Sequence, residues 1–364
     1  MGKDIITKIK EANLLGRGGA DFPVWIKWDA VKKQEGKKIY PHTKKIGKEL
    51  GDKKNVPNQK NSAFGVGMYI IANGSEGEPF VFKDEHILKN HPEEFIEGIK
   101  IALRTFSNSE AIIYLNHKYY DKYKKKLEKF SQGFPVTYFR KTARYIAGEE
   151  TALISHIEGK RAEPRTKPPY PAEAGLYNLP TLINNVETFY RIYEIEKNLY
   201  SGKTFFSIAG DVKNKGVFEF PENYPVKKVL QETGNWPDFD FFVQMGGGAA
   251  GGIFLPEELD APKKGIASII VFNKKKADLL KLMKFWANFY AEENCDKCTP
   301  CRESSLRILE ILNSLRQLAD GGGKIDYKKL DEMFLALEKT SFCPLGQGMA
   351  TPYRTLISKI LIKK

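Results

Sequence analysis

Cysteine is scarce in this chain: four among 364 residues. A disulfide framework therefore does not organise the fold, because large chains of this kind do not rely on stapled loops. No run approaches the ~18 apolar residues that a membrane span needs. Met1-Gly2-Lys3-Asp4 opens the chain without a signal-type apolar segment, so the expected location is the reducing cytoplasm, at most peripheral to a membrane as part of a complex. No internal repeat or long low-complexity segment stands out. Acidic residues are outnumbered 45 to 58, a net charge of +13. Much of that excess is local, since residues 32–54 carry nine lysines. Such a run can grip nucleic acid or an acidic protein, but no arginine is interleaved with aromatics there, so a solvated loop is the preferred reading.

Three of the four cysteines stand in one loop, Cys295-Asp296-Lys297-Cys298-Thr299-Pro300-Cys301, and the fourth, Cys343, precedes Pro344. One loop supplying three corners and a distant Cys-Pro closing the fourth suits an iron–sulfur cube. A structural zinc site is the main rival, though zinc loops usually pair their ligands as two separate C-x2-C knuckles. Four unrelated buried cysteines are the plainest alternative.

The rest of the chain has the length for two or three domains. Residues 3–14 have helical spacing, and the loop Gly16-Arg17-Gly18-Gly19-Ala20-Asp21-Phe22-Pro23 follows. A glycine loop lets backbone N–H groups approach a phosphate, and Arg17 and Lys27 add charge, but the same residues also make an ordinary turn. Met68–Ala72 reads as a buried strand of a parallel sheet. It ends in Asn73-Gly74-Ser75-Glu76-Gly77-Glu78-Pro79, where open α/β sheets bind ligands. A helix is expected over about 85–105, strands at Ala111–Leu115 and Val136–Phe139, and a lysine-rich helix over 118–130. This alternation predicts a doubly wound, Rossmann-like α/β layer. Gly148-Glu149-Glu150 starts a helix, and its carboxylates can meet either the helix dipole or ribose hydroxyls. Lys167-Pro168-Pro169-Tyr170-Pro171 is a stiff loop presenting a cation and a ring. Asn184-Asn185 can bond a heterocycle edge or cap the next helix.

Residues 203–271 change character. Short strands at 204–209, 216–220 and 241–245 and a helix at 226–232 suggest a small β-grasp (ubiquitin-like) module. Gly246-Gly247-Gly248 reads as a spacer rather than a phosphate loop. Apolar stripes at Leu279/Leu282/Trp286/Tyr290, at Leu306/Leu309/Leu312/Leu315 and at Leu330/Met333/Phe334/Leu337, with a last helix at 352–362, predict a helical bundle with the thiols at one end. Gly321-Gly322-Gly323 is expected to end the second of these helices. The expected domains are 1–200, 201–273 and 274–364.

Together these motifs resemble the flavin-binding, NADH-oxidising 51-kDa (F) subunit of respiratory complex I and the related diaphorase subunits of NAD-linked hydrogenases and formate dehydrogenases. The resemblance spans about residues 13–355. It rests on Gly16–Phe22, Asn73–Pro79 with Phe82-Lys83-Asp84, Gly148–Leu153, Arg165–Pro171, Asn184–Thr188 and the cysteine set. It implies FMN, NAD(H) and one [4Fe-4S] cluster. It implies that Gly16, Arg17, Gly18 and Lys27 hold the FMN phosphate, and that Asn73, Glu76, Tyr145, Gly148, Glu149, Asn184, Asn185 and Thr188 surround the flavin. Gly19, Phe22, Glu78, Glu150, Lys167 and Tyr170 would lie along NADH, with Phe22 and Tyr170 against the adenine. Cys295, Cys298, Cys301 and Cys343 would ligate iron. Hydride would pass from NADH to the flavin, and single electrons would leave through the cluster. No side chain need be a strong base; Glu76 and Glu150 would assist. A thioredoxin-like [2Fe-2S] subunit and a larger iron–sulfur subunit are the implied partners.

The sequence departs from that pattern in several places. Asp21 stands where the family usually has Gly, Ser75 replaces an Asp, Ala30 an aromatic and Ala147 a Cys. These changes bear on flavin tuning and on the choice between NADH and NADPH. They leave open a second reading, a non-enzymatic iron–sulfur relay with altered or lost nucleotide binding. A basic scaffold protein using 32–54 is a third.

Overall fold

The computed structural model describes residues 3–37, 66–261, 265, 268–315 and 326–362. Most of the lysine-rich stretch (38–54) and Gly321-Gly322-Gly323 lie outside the described residues. The chain divides into two compact units. One holds the described residues up to Gly77 together with Phe82–Ala143 and Ala147–Lys203. The other holds Glu78–Val81, Arg144–Ile146 and the described residues from Thr204 onward.

The first unit opens with α1 (Ile5–Glu11), capped by the Asp4 carboxylate accepting from the Ile6 and Thr7 amides, and α2 (Val24–Lys32). Then follow β1 (Met68–Gly74), α3 (Lys83–Asn90), α4 (Pro92–Thr105), β2 (Ser109–Asn116), α5 (His117–Ser131) and β3 (Val136–Lys141). It closes with α6 (Glu150–Ile157), α7 (Pro171–Ala174), β4 (Thr181–Asn185) and α8 (Val186–Glu196). The single helix expected over 85–105 is two helices. Proline has no N–H to continue a helix and prefers its first turn, so Pro92 starts α4 afresh after His91.

Four strands form one parallel sheet in the order β3-β2-β1-β4. β1 is buried along almost its whole length, as a central strand covered on both faces must be. Tyr69, Ile71, Ile112, Tyr114 and Ile183 pack with Leu153, Ile154 and Ile157 of α6. α4 packs closely on α8, because Gly98 has no Cβ; an added one would lie 1.9 Å from the Phe189 carbonyl oxygen. β4 was not expected from the sequence, since five residues ending in two asparagines carry little strand pattern. Its register sets Asn184 beside Ala72 and Asn185 beside Asn73, at the carboxyl ends of both strands.

The second unit carries β5 (Lys203–Gly210), β6 (Gly216–Pro221), α9 (Val226–Glu232), β7 (Phe241–Met245), β8 (Gly252–Phe254) and β9 (Ser268–Asn273). These strands form a mixed sheet in the order β6-β5-β9-β7-β8. β9 runs parallel to β5 and antiparallel to β7. Val226, Val229 and Leu230 of α9 bury against Phe206, Ile208, Val243, Ile269 and Val271. β8 and β9 were missed in the sequence; β8 is only three residues long, too short for any period.

Helices α10 (Leu279–Glu293), α11 (Thr299–Ser314), α12 (Tyr327–Thr340), α13 (Pro344–Gly348) and α14 (Ala350–Leu356) follow, with a wider π turn at Ile357–Leu361. Their shared core includes Met283, Trp286, Tyr290, Cys301, Ile308, Leu312, Phe334 and Tyr353. The leucine stripe expected on α11 is partly wrong: Leu306 is exposed, and Cys301, Ser304, Ser305, Ile308 and Leu312 face inward. Leu309, Leu312 and Leu315 do reach the core, and short serines that can sit under neighbouring helices share that face. Among the described residues no helix is long and apolar enough to cross a membrane.

Candidate functional site

In the first unit, the expected flavin residues gather at the carboxyl ends of β1 and β4. The Gly16 amide donates to the Phe22 carbonyl at 2.9 Å, closing the glycine loop, and Leu15 bridges Pro23. The Arg17 amide donates to Thr188 Oγ1 at 3.0 Å and its guanidinium to the Tyr200 hydroxyl at 3.3 Å. A Cβ on Gly18 would come within 3.7 Å of the Asn185 Cβ, so this loop lies on the start of α8. Asn73 Nδ2 donates to the Gly148 carbonyl at 2.9 Å, and Asn185 Nδ2 to the Asn73 carbonyl at 3.3 Å. Gly148 lies against Ser75: a Cβ there would come within 2.9 Å of Ser75 Oγ. Asn185 also caps α8 through the Glu187 amide. Asn184 is buried, its amide oriented so that its oxygen accepts from Trp28 Nε1 at 2.9 Å.

Beneath these residues lies a buried ionic cluster. Lys83 Nζ stands 2.6 Å from Asp84, 3.3 Å from Glu187 and 3.0 Å from Asn185 Oδ1. Asp84 accepts from Asn185 Nδ2 at 2.7 Å, and its amide donates to Glu76 at 3.0 Å. Tyr119 completes the set, donating to Glu76 at 2.8 Å. Burial works against the Lys83 charge, and Asp84, Glu187 and Glu76 overcome it and raise its pKa. Burial first, and the Asp84 charge next, push the Glu76 carboxyl up to about 8, against the opposing pull of Lys83. Tyr119, Glu187 and Arg191 were not singled out in the sequence. A charged residue at a fully buried helix position leaves no trace in an apolar pattern.

The nucleotide residues form a second group in this unit. Lys27 stands 2.9 Å from Glu150, Glu150 2.7 Å from Lys167, and Lys167 3.1 Å from Glu149. Lys27, expected on the FMN phosphate, is thus held by the carboxylate expected on NADH. Burial opposes the charge of Glu150, but Lys27 and Lys167 win and lower its pKa. Glu149 is the N-cap of α6, accepting from the Thr151 and Ala152 amides at 2.8 and 2.9 Å. Phe22 and Tyr170 are 43% and 54% exposed, open rings with room for a partner. Gly19 and Asp21 both take left-handed backbone (φ +98° and +47°) in the glycine loop. Aspartate tolerates that region better than most side chains, which is how it can stand in this loop.

The second unit holds Glu78, Tyr145 and the cysteines. Glu78 Oε1 accepts from the Ala249 and Ala250 amides at 2.8 and 3.1 Å, and Oε2 from the Tyr145 hydroxyl at 2.7 Å. The loop after β7 therefore cradles an internal carboxylate with two of its amides. Burial raises the Glu78 pKa and those three hydrogen bonds oppose it. Tyr145 also donates its amide to the Glu293 carboxylate, and its ring meets Phe289 at 5.1 Å. Arg144 bonds the Asn294 carbonyl and Asp296, each at 3.1 Å, inside the cysteine loop.

None of the four cysteines forms a disulfide; Cys301 and Cys343 are buried, Cys295 and Cys298 half-buried. Cys298 is the N-cap of α11 and Cys343 that of α13, each followed by a proline in the first turn. Burial pushes the Cys301 thiol up, and the neighbouring Cys298, Cys343 and Cys295 add to it, so the four form one electrostatic neighbourhood. Among the described residues no three His, Cys, Asp or Glu side chains are gathered to hold a single metal ion. A cube spreads its four thiolates over four irons, and four soft thiol donors in one electrostatic neighbourhood fit a cluster.

Comparison with known proteins agrees with this geometry. Residues 9–194 match the family model described as the Nuo51 FMN-binding domain, and residues 281–360 that of the NADH-ubiquinone oxidoreductase-F iron-sulfur binding region. The F subunit of the Streptomyces coelicolor NADH-quinone oxidoreductase is 31% identical over 96% of this chain and 79% of its own length. The HndC subunit of the NADP-reducing hydrogenase of Solidesulfovibrio fructosivorans is 30% identical over 96% of this chain and 73% of its own. A solved NAD+-reducing [NiFe]-hydrogenase in its H2-reduced state matches with a TM-score of 0.81 at 28% identity. That match covers 97% of this chain but 61% of the hydrogenase chain. The chain belongs to the family of NADH-quinone oxidoreductase F subunits, with its FMN-binding domain and its iron–sulfur binding region.

Proposed function

We infer that this chain is a flavin-dependent NADH dehydrogenase subunit, the point at which electrons enter a redox complex. It oxidises NADH with FMN and passes single electrons to a [4Fe-4S] cluster. The observation that carries the reading is the convergence of Arg17, Asn73, Gly148, Asn185 and Thr188 at the carboxyl ends of two parallel strands. That is where open α/β sheets take their ligands. FMN, when bound, supplies the conversion of a two-electron donor into single electrons, a chemistry no side chain offers.

The remaining work is positional. Gly16, Arg17, Gly18 and Lys27 hold the flavin phosphate, with charge from the Arg17 guanidinium and the Lys27 ammonium. Asn73, Glu76, Tyr145, Gly148, Glu149, Asn184, Asn185 and Thr188 line the flavin. Gly19, Phe22, Glu78, Glu150, Lys167 and Tyr170 receive the nucleotide, Phe22 and Tyr170 stacking on the adenine. Nucleotide entry separates Glu150 from Lys27, which frees the lysine for phosphate and the carboxylate for ribose hydroxyls. Cys295, Cys298, Cys301 and Cys343 hold the cluster.

The strand order β6-β5-β9-β7-β8 with α9 on one face supports a β-grasp module at 201–273, between a nucleotide-binding domain at 1–200 and a cluster-bearing bundle at 274–364. Relatives are named as subunits of larger enzymes, which supports redox partners for this chain; by the resemblance these are a thioredoxin-like [2Fe-2S] subunit and a larger iron–sulfur subunit, in the cytoplasm. Reconstituted protein is expected to show flavin bands and a broad cluster shoulder, and NADH is expected to bleach the flavin. Iron without flavin would favour the relay reading. Glu150→Ala is expected to lose most of the NADH reduction rate; an unchanged rate rejects its role.

A further inference from the structure

Among the candidate-site carboxylates, Glu78 stands apart. Glu149 and Glu150 each meet a lysine, and Glu76 feels Lys83. Among the described residues the hydrogen-bond partners of Glu78 are two amides and a phenol, all neutral donors. A carboxylate without a nearby cation, partly removed from water, is one whose charge a proton readily cancels. It remains half-buried, so protons can reach it.

One peptide links this carboxylate to the cysteines. The Ala249 amide donates to Glu78, and the Ala249 carbonyl accepts from the Tyr290 hydroxyl at 3.3 Å. Tyr290 is 2% exposed and shares a core with Cys301 and Ala249. It lies within electrostatic range of both the Glu78 carboxylate and the Cys301 thiol. Negative charge placed on the cysteine set is therefore felt along a dry path, where it is poorly screened.

We propose that Glu78 is a charge-compensating proton site for the iron–sulfur centre, taking up a proton when the centre gains an electron. The proposal rests on the cluster reading above. NADH oxidation releases two electrons and one proton. Each electron would reduce the cluster in turn and leave to the partner iron–sulfur subunit; the Glu78 carboxylate would take up the proton as the cluster gains an electron and return it to solvent as the cluster passes that electron on. Titratable groups face Glu78 from two elements, Tyr145 from the 144–146 segment and Tyr290 from α10, and Glu293 holds the Tyr145 amide. Both tyrosines are held well above their usual pKa, by burial first and the Glu78 charge next, so they stay protonated while Glu78 titrates.

The test is a mediated redox titration of the cluster in the reconstituted protein, read by electron paramagnetic resonance without NADH, between about pH 5 and 9. Proton uptake on reduction makes the midpoint fall as pH rises, by at most about 59 mV for each tenfold change in proton concentration. In Glu78→Gln the midpoint is expected to be flat over that range. In Tyr145→Phe, which removes a bond that favours the ionised carboxylate, the sloping window is expected to move to higher pH. A pH-independent midpoint in the native protein overturns the proposal, as does an unchanged slope in Glu78→Gln. Absence of any cluster signal would instead overturn the cysteine assignment, and the proposal with it.

Discussion

The carboxylate of Glu78 occupies the space that a side chain on Gly247 would need. A Cβ built on Gly247 would lie 2.3 Å from Glu78 Oε1, and the residue's φ is +125°, a conformation that side chains rarely adopt. The glycine is therefore required twice, once by its backbone and once by its neighbour. Gly247→Ala is expected to expel Glu78 from its cradle and to cost roughly 1–3 kcal/mol. Chemical denaturation measures the cost. A near-neutral variant would show that the cradle is not needed.

The cysteines should act as a set. Cys301 is buried among the other three thiols, so Cys301→Ser leaves a cube with one corner held by a poorer donor. We expect iron content to fall from about four atoms per chain to a small fraction. The flavin bands should persist, because the flavin residues apart from Tyr145 belong to the first unit. Iron assay and the visible spectrum decide this. Retention of a full complement of iron would mean that Cys301 is not a ligand.

Lys83 is 4% exposed and lies between Asp84 and Glu187. Removing one partner of a buried charge set leaves the others uncompensated. Lys83→Met is expected to cost about 3–5 kcal/mol and to weaken flavin retention through Asn185. Lys83→Arg, which keeps the charge, should recover part of the loss. Thermal melts with and without added FMN separate the two effects.

Glu76 predicts a pH dependence of stability. Its carboxyl rises from the usual 4.5 to about 8 in the folded protein. Between those values the native state binds more protons than the unfolded chain, so this contribution to stability is complete below about pH 4.5 and is lost as pH rises to about 8. Gln mimics the protonated form: it accepts from the Asp84 amide and can donate to Tyr119. Glu76→Gln should match the native protein in acid and exceed it above about pH 8, by on the order of 2 kcal/mol. Equal stability at both ends of the range would remove the proposed shift.

Much of the site could be read from the sequence because its residues are adjacent in it. The cysteine spacing, the Asn73–Pro79 turn at a strand end and the Gly148-Glu149-Glu150 helix start are short-range signals, and each lies where the fold puts it. What escaped were features set by distant contacts. Tyr119 and Arg191 read as ordinary helix polar residues, yet one bonds Glu76 and the other stands beside Glu187 at 3.6 Å. Lys27 looks like a phosphate ligand in the sequence, yet Glu150, 123 residues away, holds it. The leucine stripe of α11 read from the sequence reaches the core at Leu312 and Leu315, but Leu306 is exposed and Cys301, Ser304 and Ser305 share the inward face.

By itself, then, the sequence determined the local chemistry: which thiols share a loop, which strand ends in polar residues, and where proline must restart a helix. Those follow from covalent spacing and backbone preference, which act over a few residues. The tertiary structure alone decided the charge states and pairings, because burial and the nearest opposite charge set them. It took Glu187 out of water beside Lys83 and, among the described residues, gave Glu78 neutral donors. Charge energies in a dry interior depend on distance in space, and distance along the chain does not report it.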